Sequence, residues 1–130
     1  MACLNLAVAP TPPSVLDNCG RTLSVSAGVP GSDPSCAGSK TWTFTYTDCA
    51  NLTYEWVYTY TISAPVVSMP ATGGSTVACL NLAVAPTPPS VLDNCGRTLS
   101  VSAGVPGSDP SCAGSKTWTF TYTDCAYQTY

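Results

Sequence analysis

The chain has 130 residues, 8% of them charged, with a formal net charge of −3 and no histidine. A typical soluble domain carries roughly a quarter charged residues, and histidine is the commonest general base near neutral pH. This composition argues against a cytosolic acid–base enzyme, and four lysines and arginines leave no basic patch for nucleic acid or a membrane surface.

In chain order, Pro10, Pro12 and Pro13 set an extended, edge-like path near the N-terminus. Ser14–Leu16 reads as a short strand ending at the turn Asp17-Asn18-Cys19-Gly20, and Thr22–Ser26 as a second. Gly28, Pro30, Gly31 and Pro34 make a polar loop before Cys36. From Lys40 to Asp48, Thr41, Thr43, Thr45 and Thr47 alternate with Trp42, Phe44 and Tyr46. Period-2 alternation puts the aromatics on one face of a strand and the threonines on the other. Glu55–Ile62 repeats the device, with Trp56, Tyr58, Tyr60 and Ile62 on one face. The short Cys49–Tyr54 connection makes the two a hairpin. Pro65–Met69 and Thr76–Leu82 are read as two further strands, split at Gly73-Gly74. No segment has a helical period. Short strands between turn signals predict an all-β fold, an immunoglobulin-like β-sandwich in tandem repeats, stapled by disulfides.

The tandem organisation is explicit, because Ala2–Ala50 recurs without change as Ala78–Ala126 at an offset of 76 residues. Self-similarity at a fixed period marks an array of like modules. The expected division is residues 1–63, a first repeat without its leading strand, and residues 64–130, a second without its last strand. The chain then reads as a window on a longer array. The other reading is one whole module and one frayed or partner-completed module; strand donation between identical chains only moves strands around and cannot create the missing ones.

The eight cysteines fall as Cys3, Cys19, Cys36, Cys49 and then Cys79, Cys95, Cys112, Cys125. Even numbers at repeated spacings predict disulfides and an oxidising compartment. No C-x2-C knuckle or histidine supports zinc, so no metal and no cofactor are expected. Four cysteines allow three connectivities. If the strands after Cys19 and before Cys49 run antiparallel, Cys19–Cys49 and Cys3–Cys36 are favoured, with Cys95–Cys125 and Cys79–Cys112 in the copy. Secretion rests on these cysteines alone, since Met1 is followed by no basic, apolar leader and no stretch reaches the ~20 apolar residues of a membrane span.

The string PTPPSVLDNCGRTLSV, followed by CAGSKTWTFTYTDCANLTYEWVYTYTI, resembles the hyalin-repeat-like (HYR-like) modules found in tandem in large surface proteins of Bacteroidota. The resemblance spans Cys3–Ile62 and Cys79–Tyr130. It implies an immunoglobulin-like sandwich, export, and a role in adhesins or surface filaments, with neither catalysis nor a cofactor.

Other side chains admit both functional and structural roles. The ladder Thr41, Thr43, Thr45, Thr47, with its copy Thr117, Thr119, Thr121, Thr123, reads first as a solvent face, then as a carrier of O-glycans, and last as an ice-binding array. Asn51-Leu52-Thr53 is a glycosylation sequon, lost in the copy as Tyr127-Gln128-Thr129. Asp17, Asn18 and Asp48, with Asp93, Asn94 and Asp124, cap turns, calcium being the rival. Trp42, Tyr46, Trp56 and Tyr58 are assigned to the core ahead of a carbohydrate platform. Arg21 and Lys40 are read as lone charges beside turns.

No nucleophile–base arrangement is present, so the chain is not read as an enzyme. The expected role is a structural repeat of an extracellular or cell-surface filament or adhesin stalk, whose partners are neighbouring copies of the same repeat. The alternative is a module binding carbohydrate or a host surface through avidity. An engineered duplication would also explain the identity of the copies.

Overall fold

The computed structural model describes residues 1–130. The chain separates into two units, Met1–Ala64 and Pro65–Tyr130. Both are β-structured and contain no α-helix, as the sequence pattern requires.

The first unit is built on a hairpin. Strands β1 (Ser24–Val25), β2 (Val29–Pro30), β3 (Gly38–Thr47) and β4 (Thr53–Ile62) form one antiparallel sheet. The central strand β3 pairs with β4 along its whole length, from Gly38 opposite Ile62 to Thr47 opposite Thr53. On its other side it meets β1, with Ser24 opposite Thr47, and then β2, with Pro30 opposite Trp42. Alternation along β3 turns Phe44 and Tyr46 inward, where they close a core with Leu23 while Trp42 and Trp56 pack against them.

The strand expected at Thr22–Ser26 is shortened to Ser24–Val25, for a local reason. The Ser26 amide donates to the Thr45 carbonyl at 2.9 Å, but the Thr45 amide donates back to the Ser26 hydroxyl at 3.0 Å. A side chain thus takes the place of a ladder carbonyl, and the strand breaks before resuming at β2. Gly28 lies in this break. A Cβ there would come 2.9 Å from Phe44 Cζ, so only glycine lets the backbone pass over that ring.

Three further expected strands are reduced. Ser14–Leu16 contributes one bridge, Leu16 to Thr22, around the Asp17 turn. Pro65–Met69 contributes one, Val67 to Asp93. Thr76–Leu82 is not a strand, and its end is a 3-10 turn at Leu80–Leu82, where the Leu82 amide donates to the Cys79 carbonyl at 3.0 Å. Leu4–Leu6 forms the same turn in the first copy.

The second unit repeats the ladder in pieces. β5 (Ser100–Val101) pairs with β8 (Tyr122–Thr123), and β6 (Val105–Pro106) with β7 (Trp118–Thr119). Val91, Leu99 and Tyr122 form its core, with Val67 and Phe120 packed against them. In place of a ten-residue partner strand, Tyr130 exchanges both backbone hydrogen bonds with Tyr122 and Thr129 bridges to Thr123.

Both units pin their irregular segments to the core by aromatic hydrogen bonds. Trp42 Nε1 donates to the Ala7 carbonyl at 3.0 Å, and Trp118 Nε1 to Ala83 at 3.1 Å. The Tyr46 hydroxyl donates to the Pro13 carbonyl, and that of Tyr122 to Pro89. A buried aromatic body with a satisfied polar tip fastens the proline-rich run without strand pairing.

Candidate functional site

Four aspartates organise the turns beside the cysteines. Asp17 Oδ1 accepts from the amides of Cys19 at 2.8 Å and Arg21 at 2.9 Å, while Oδ2 accepts from Arg21 Nε at 2.7 Å. Asp93 repeats this with Cys95 and Arg97. Asp48 Oδ1 accepts from the amides of Ala50 and Leu52, and its Oδ2 from the Tyr54 hydroxyl at 3.1 Å. Asp124 does the same with Ala126, Gln128 and Tyr130. The carboxylates are therefore spent on amide donors, the turn-capping role, and not gathered toward a cation.

The electrostatics follow this bonding. The Arg21 amide, then that of Cys19 and the Arg21 side chain, hold the Asp17 carboxyl below its ordinary value. The Leu52 and Ala50 amides do so for Asp48. At Asp93 burial pushes the value up, and the amides of Arg97 and Cys95 outweigh it. The Tyr54 phenol is raised by its hydrogen bond to Asp48, and that of Tyr130 by burial together with Asp124.

Arg21 and Lys40 correct the reading of them as lone charges. Arg21 closes the Asp17 turn. Lys40 is buried on β3, donates to the Gly31 carbonyl at 2.7 Å and pairs with Asp33 across the loop, with its ammonium 5.6 Å from the Trp42 ring. Lys116 makes the same contacts with Gly107, Asp109 and Trp118. Sequence could have signalled this through Asp33 and Lys40 flanking one polar loop, but burial of the ammonium is a tertiary outcome.

The cysteines divide unevenly. Cys3 and Cys36 are disulfide-bonded in the first unit, and Cys95 and Cys125 in the second. Cys19, Cys49, Cys79 and Cys112 are exposed thiols, so the expectation that all eight pair is not met in this structure. The reason lies in which flanking segment each unit holds. In the first, the Ser63 amide just past β4 donates to the Met1 carbonyl at 2.7 Å, anchoring the segment that carries Cys3. In the second, Val66 and Val67 dock on the Asp93 turn that carries Cys95. Each unit closes the staple beside the segment that is anchored. The antiparallel β1–β3 pairing does bring the Asp17 and Asp48 turns together, where Asp17, Arg21, Asp48 and Cys49 line one shallow cleft.

The aromatic residues do not all enter the core. Phe44 and Tyr46 are buried and Trp42 and Trp56 are half-buried. Tyr58 is 39% exposed, which corrects its assignment to the core. Trp56 lies 5.6 Å from Phe44 and 5.8 Å from Tyr58, and Tyr58 lies 4.9 Å from Tyr60, so a run of touching rings follows β4 outward from the core. Because β4 is the sheet's edge, Tyr58 has a neighbour strand on one side only.

The threonine ladder Thr41, Thr43, Thr45, Thr47 is half-buried, opposite Thr59, Val57, Glu55 and Thr53 of β4. In the copy, Thr117, Thr119 and Thr121 are exposed. Asn51 is exposed in the β3–β4 turn with a left-handed backbone, φ 61°, which asparagine tolerates; Tyr127 takes its place in the copy at φ 62°.

No helix is long and apolar enough to cross a membrane. Neither a curated protein nor a solved structure matches the chain. The family model described as "HYR-like domain with 4 cysteines" matches twice, over residues 1–62 and 67–130. With nearly every residue of both stapled units covered, the chain belongs to the family of HYR-like domains with 4 cysteines and consists of two of them in tandem.

Proposed function

We propose that the chain is a structural repeat of an extracellular or cell-surface filament or adhesin stalk, without catalytic activity. The observation that carries this reading is the fate of the polar side chains. In both copies the same aspartates, lysines and arginines are committed to their own module's turns and loops. Such a module spends its charged side chains on its own turns and loops, and length comes from copy number. The partners are neighbouring copies of the same repeat.

Electron microscopy of the native material tests the reading. Strands of about 10 residues at ~3.3 Å per residue plus a linker give an axial repeat of roughly 35–50 Å. Filaments with that spacing are the expected result. Discrete particles two modules long would overturn it.

One observation favours a second reading. The exposed Tyr58 beside Trp56 and Tyr60 presents aromatic edges and faces of the kind that pack on sugar rings. Binding by an array on a glycan screen, lost in Tyr58→Ala, would favour a carbohydrate-binding module acting through avidity. Exposed Asn51 and the threonine ladder are the proposed attachment points for glycans, and intact mass of native material tests them.

A further inference from the structure

The two units share one surface in two conditions. In the second unit, the turn Asp93-Asn94 carries an extended segment. The Val66 amide donates to Asn94 Oδ1 at 3.1 Å, and the Asn94 amide donates to the Val66 carbonyl at 3.0 Å. Val67 bridges to Asp93 and packs on the core residues Val91, Leu99 and Tyr122, while Pro65 is buried. Underneath, Val91 is 5% exposed and the Asp93 side chain 1%.

In the first unit the same residues stand as Val15, Asp17 and Asn18, and the turn itself is the same, hydrogen bond for hydrogen bond. Here Val15 is 36% exposed and the Asp17 side chain 17%. Identical sequence and identical turn geometry present an identical acceptor. It consists of the Asn18 side-chain oxygen as acceptor and the Asn18 backbone amide as donor for one residue of an incoming strand, and an apolar floor at Val15 for the next.

We propose that the Val15–Asn18 surface is the docking site for a Pro-Val-Val linker segment arriving from a preceding module of the same polypeptide. In the second unit the segment comes from that direction, and its chemistry is visible: a proline that is buried, a residue pairing both ways with the asparagine, and a valine over the core. This is strand addition at a turn, with one main-chain and one side-chain hydrogen bond to the asparagine for register, and a proline and a valine for burial. Docking would make each linker part of the following module's core and couple neighbouring modules mechanically. The inference deepens the tandem-array reading and rests on it for the identity of the partner.

The test is the whole chain extended by a second copy of residues 63–77 placed ahead of Ala2. Hydrogen exchange is followed by NMR with heavy-nitrogen label confined to the first unit, since the two copies are otherwise indistinguishable. The Asn18 amide is expected to exchange about tenfold or more slowly in the extended chain than in the unextended one. Val67→Lys within the added copy should abolish the gain and leave the original fold untouched. Unchanged exchange at Asn18 in the extended chain would overturn the proposal. So would protection that rises with the concentration of the unextended chain, because the occupant would then come from a separate molecule. The exchange result is independent of filament formation, so a failure of the axial-repeat measurement and a failure of docking are distinguishable.

Discussion

In the first unit β3 is one strand of ten residues, Cys3 and Cys36 are bonded, and Val15 stands open. In the second the same residues make two short strands, Cys95 and Cys125 are bonded, and Val91 is covered. Since Ala2–Ala50 and Ala78–Ala126 are identical, nothing inside the block can explain the difference. It comes from the flanks. β4 supports one end of the module, and Val66–Val67 supports the other. The Asp turns, the Lys–Asp pairs and the Trp and Tyr hydrogen bonds recur in both units, so they are encoded within the block. The continuity of β3 and the choice of staple are not.

Breaking the staples should separate the two units most. Replacing Cys3 and Cys36 by Ser is expected to cost the first unit about 2–4 kcal/mol, the usual worth of a disulfide closing a loop of this kind. The second unit should melt as before, and chemical denaturation followed by unit-specific probes checks this. The corresponding change at Cys95 and Cys125 should invert the pattern.

The covered and open valines give the next contrast. Val91→Ala should destabilise the second unit by roughly 2 kcal/mol, because a buried branched side chain leaves a cavity. Val15→Ala should cost the first unit less than about 0.5 kcal/mol while that surface stays exposed. Equal costs would break the comparison.

A smaller effect is expected at the hairpin turn. Asn51 and Tyr127 hold the same left-handed position, and tyrosine is strained there. Tyr127→Asn should stabilise the second unit by about 1 kcal/mol, because the left-handed conformation costs about that much for most residues while the short polar side chain of asparagine offsets it by local hydrogen bonding. Asn51→Tyr should do the reverse in the first.

The weakest and most uniform effect is that of pH. Asp17, Asp48 and Asp93 are held below the ordinary value of 3.8. The unfolded chain therefore takes up protons first, so their contribution is full above that value and is lost as pH falls through it and below. The Tyr54 and Tyr130 phenols are raised above 10.0. Their contribution is present below that value and is lost as pH rises through it and beyond. Melting temperatures should fall at both extremes, and Tyr54→Phe should remove the alkaline loss in the first unit alone.

Much of this was legible from residue order. Alternation of threonine and aromatics located β3 and β4 to within two residues at each end, because a pleated strand with one buried face imposes a period of two. Asp17 and Asp48 were readable as turn caps because a short carboxylate reaches amides two and four residues ahead. The strand at Thr22–Ser26 was overdrawn because a serine hydroxyl replaces a ladder carbonyl, which no periodicity reveals. Tyr58 followed the alternation of its neighbours yet lies exposed, because inward and outward mean little on an edge strand with no layer beyond it.

By itself the sequence determined the module: its repeat, its all-β character, its turns and its cysteine complement. These depend on interactions between residues close in the chain, or on side-chain periodicity, and they come out the same in both copies. Only the tertiary structure decided which cysteines bond and which valine is buried. Those outcomes depend on whether a segment from outside the block lies against it, and a hydrogen bond or a buried methyl group requires that segment to be in place.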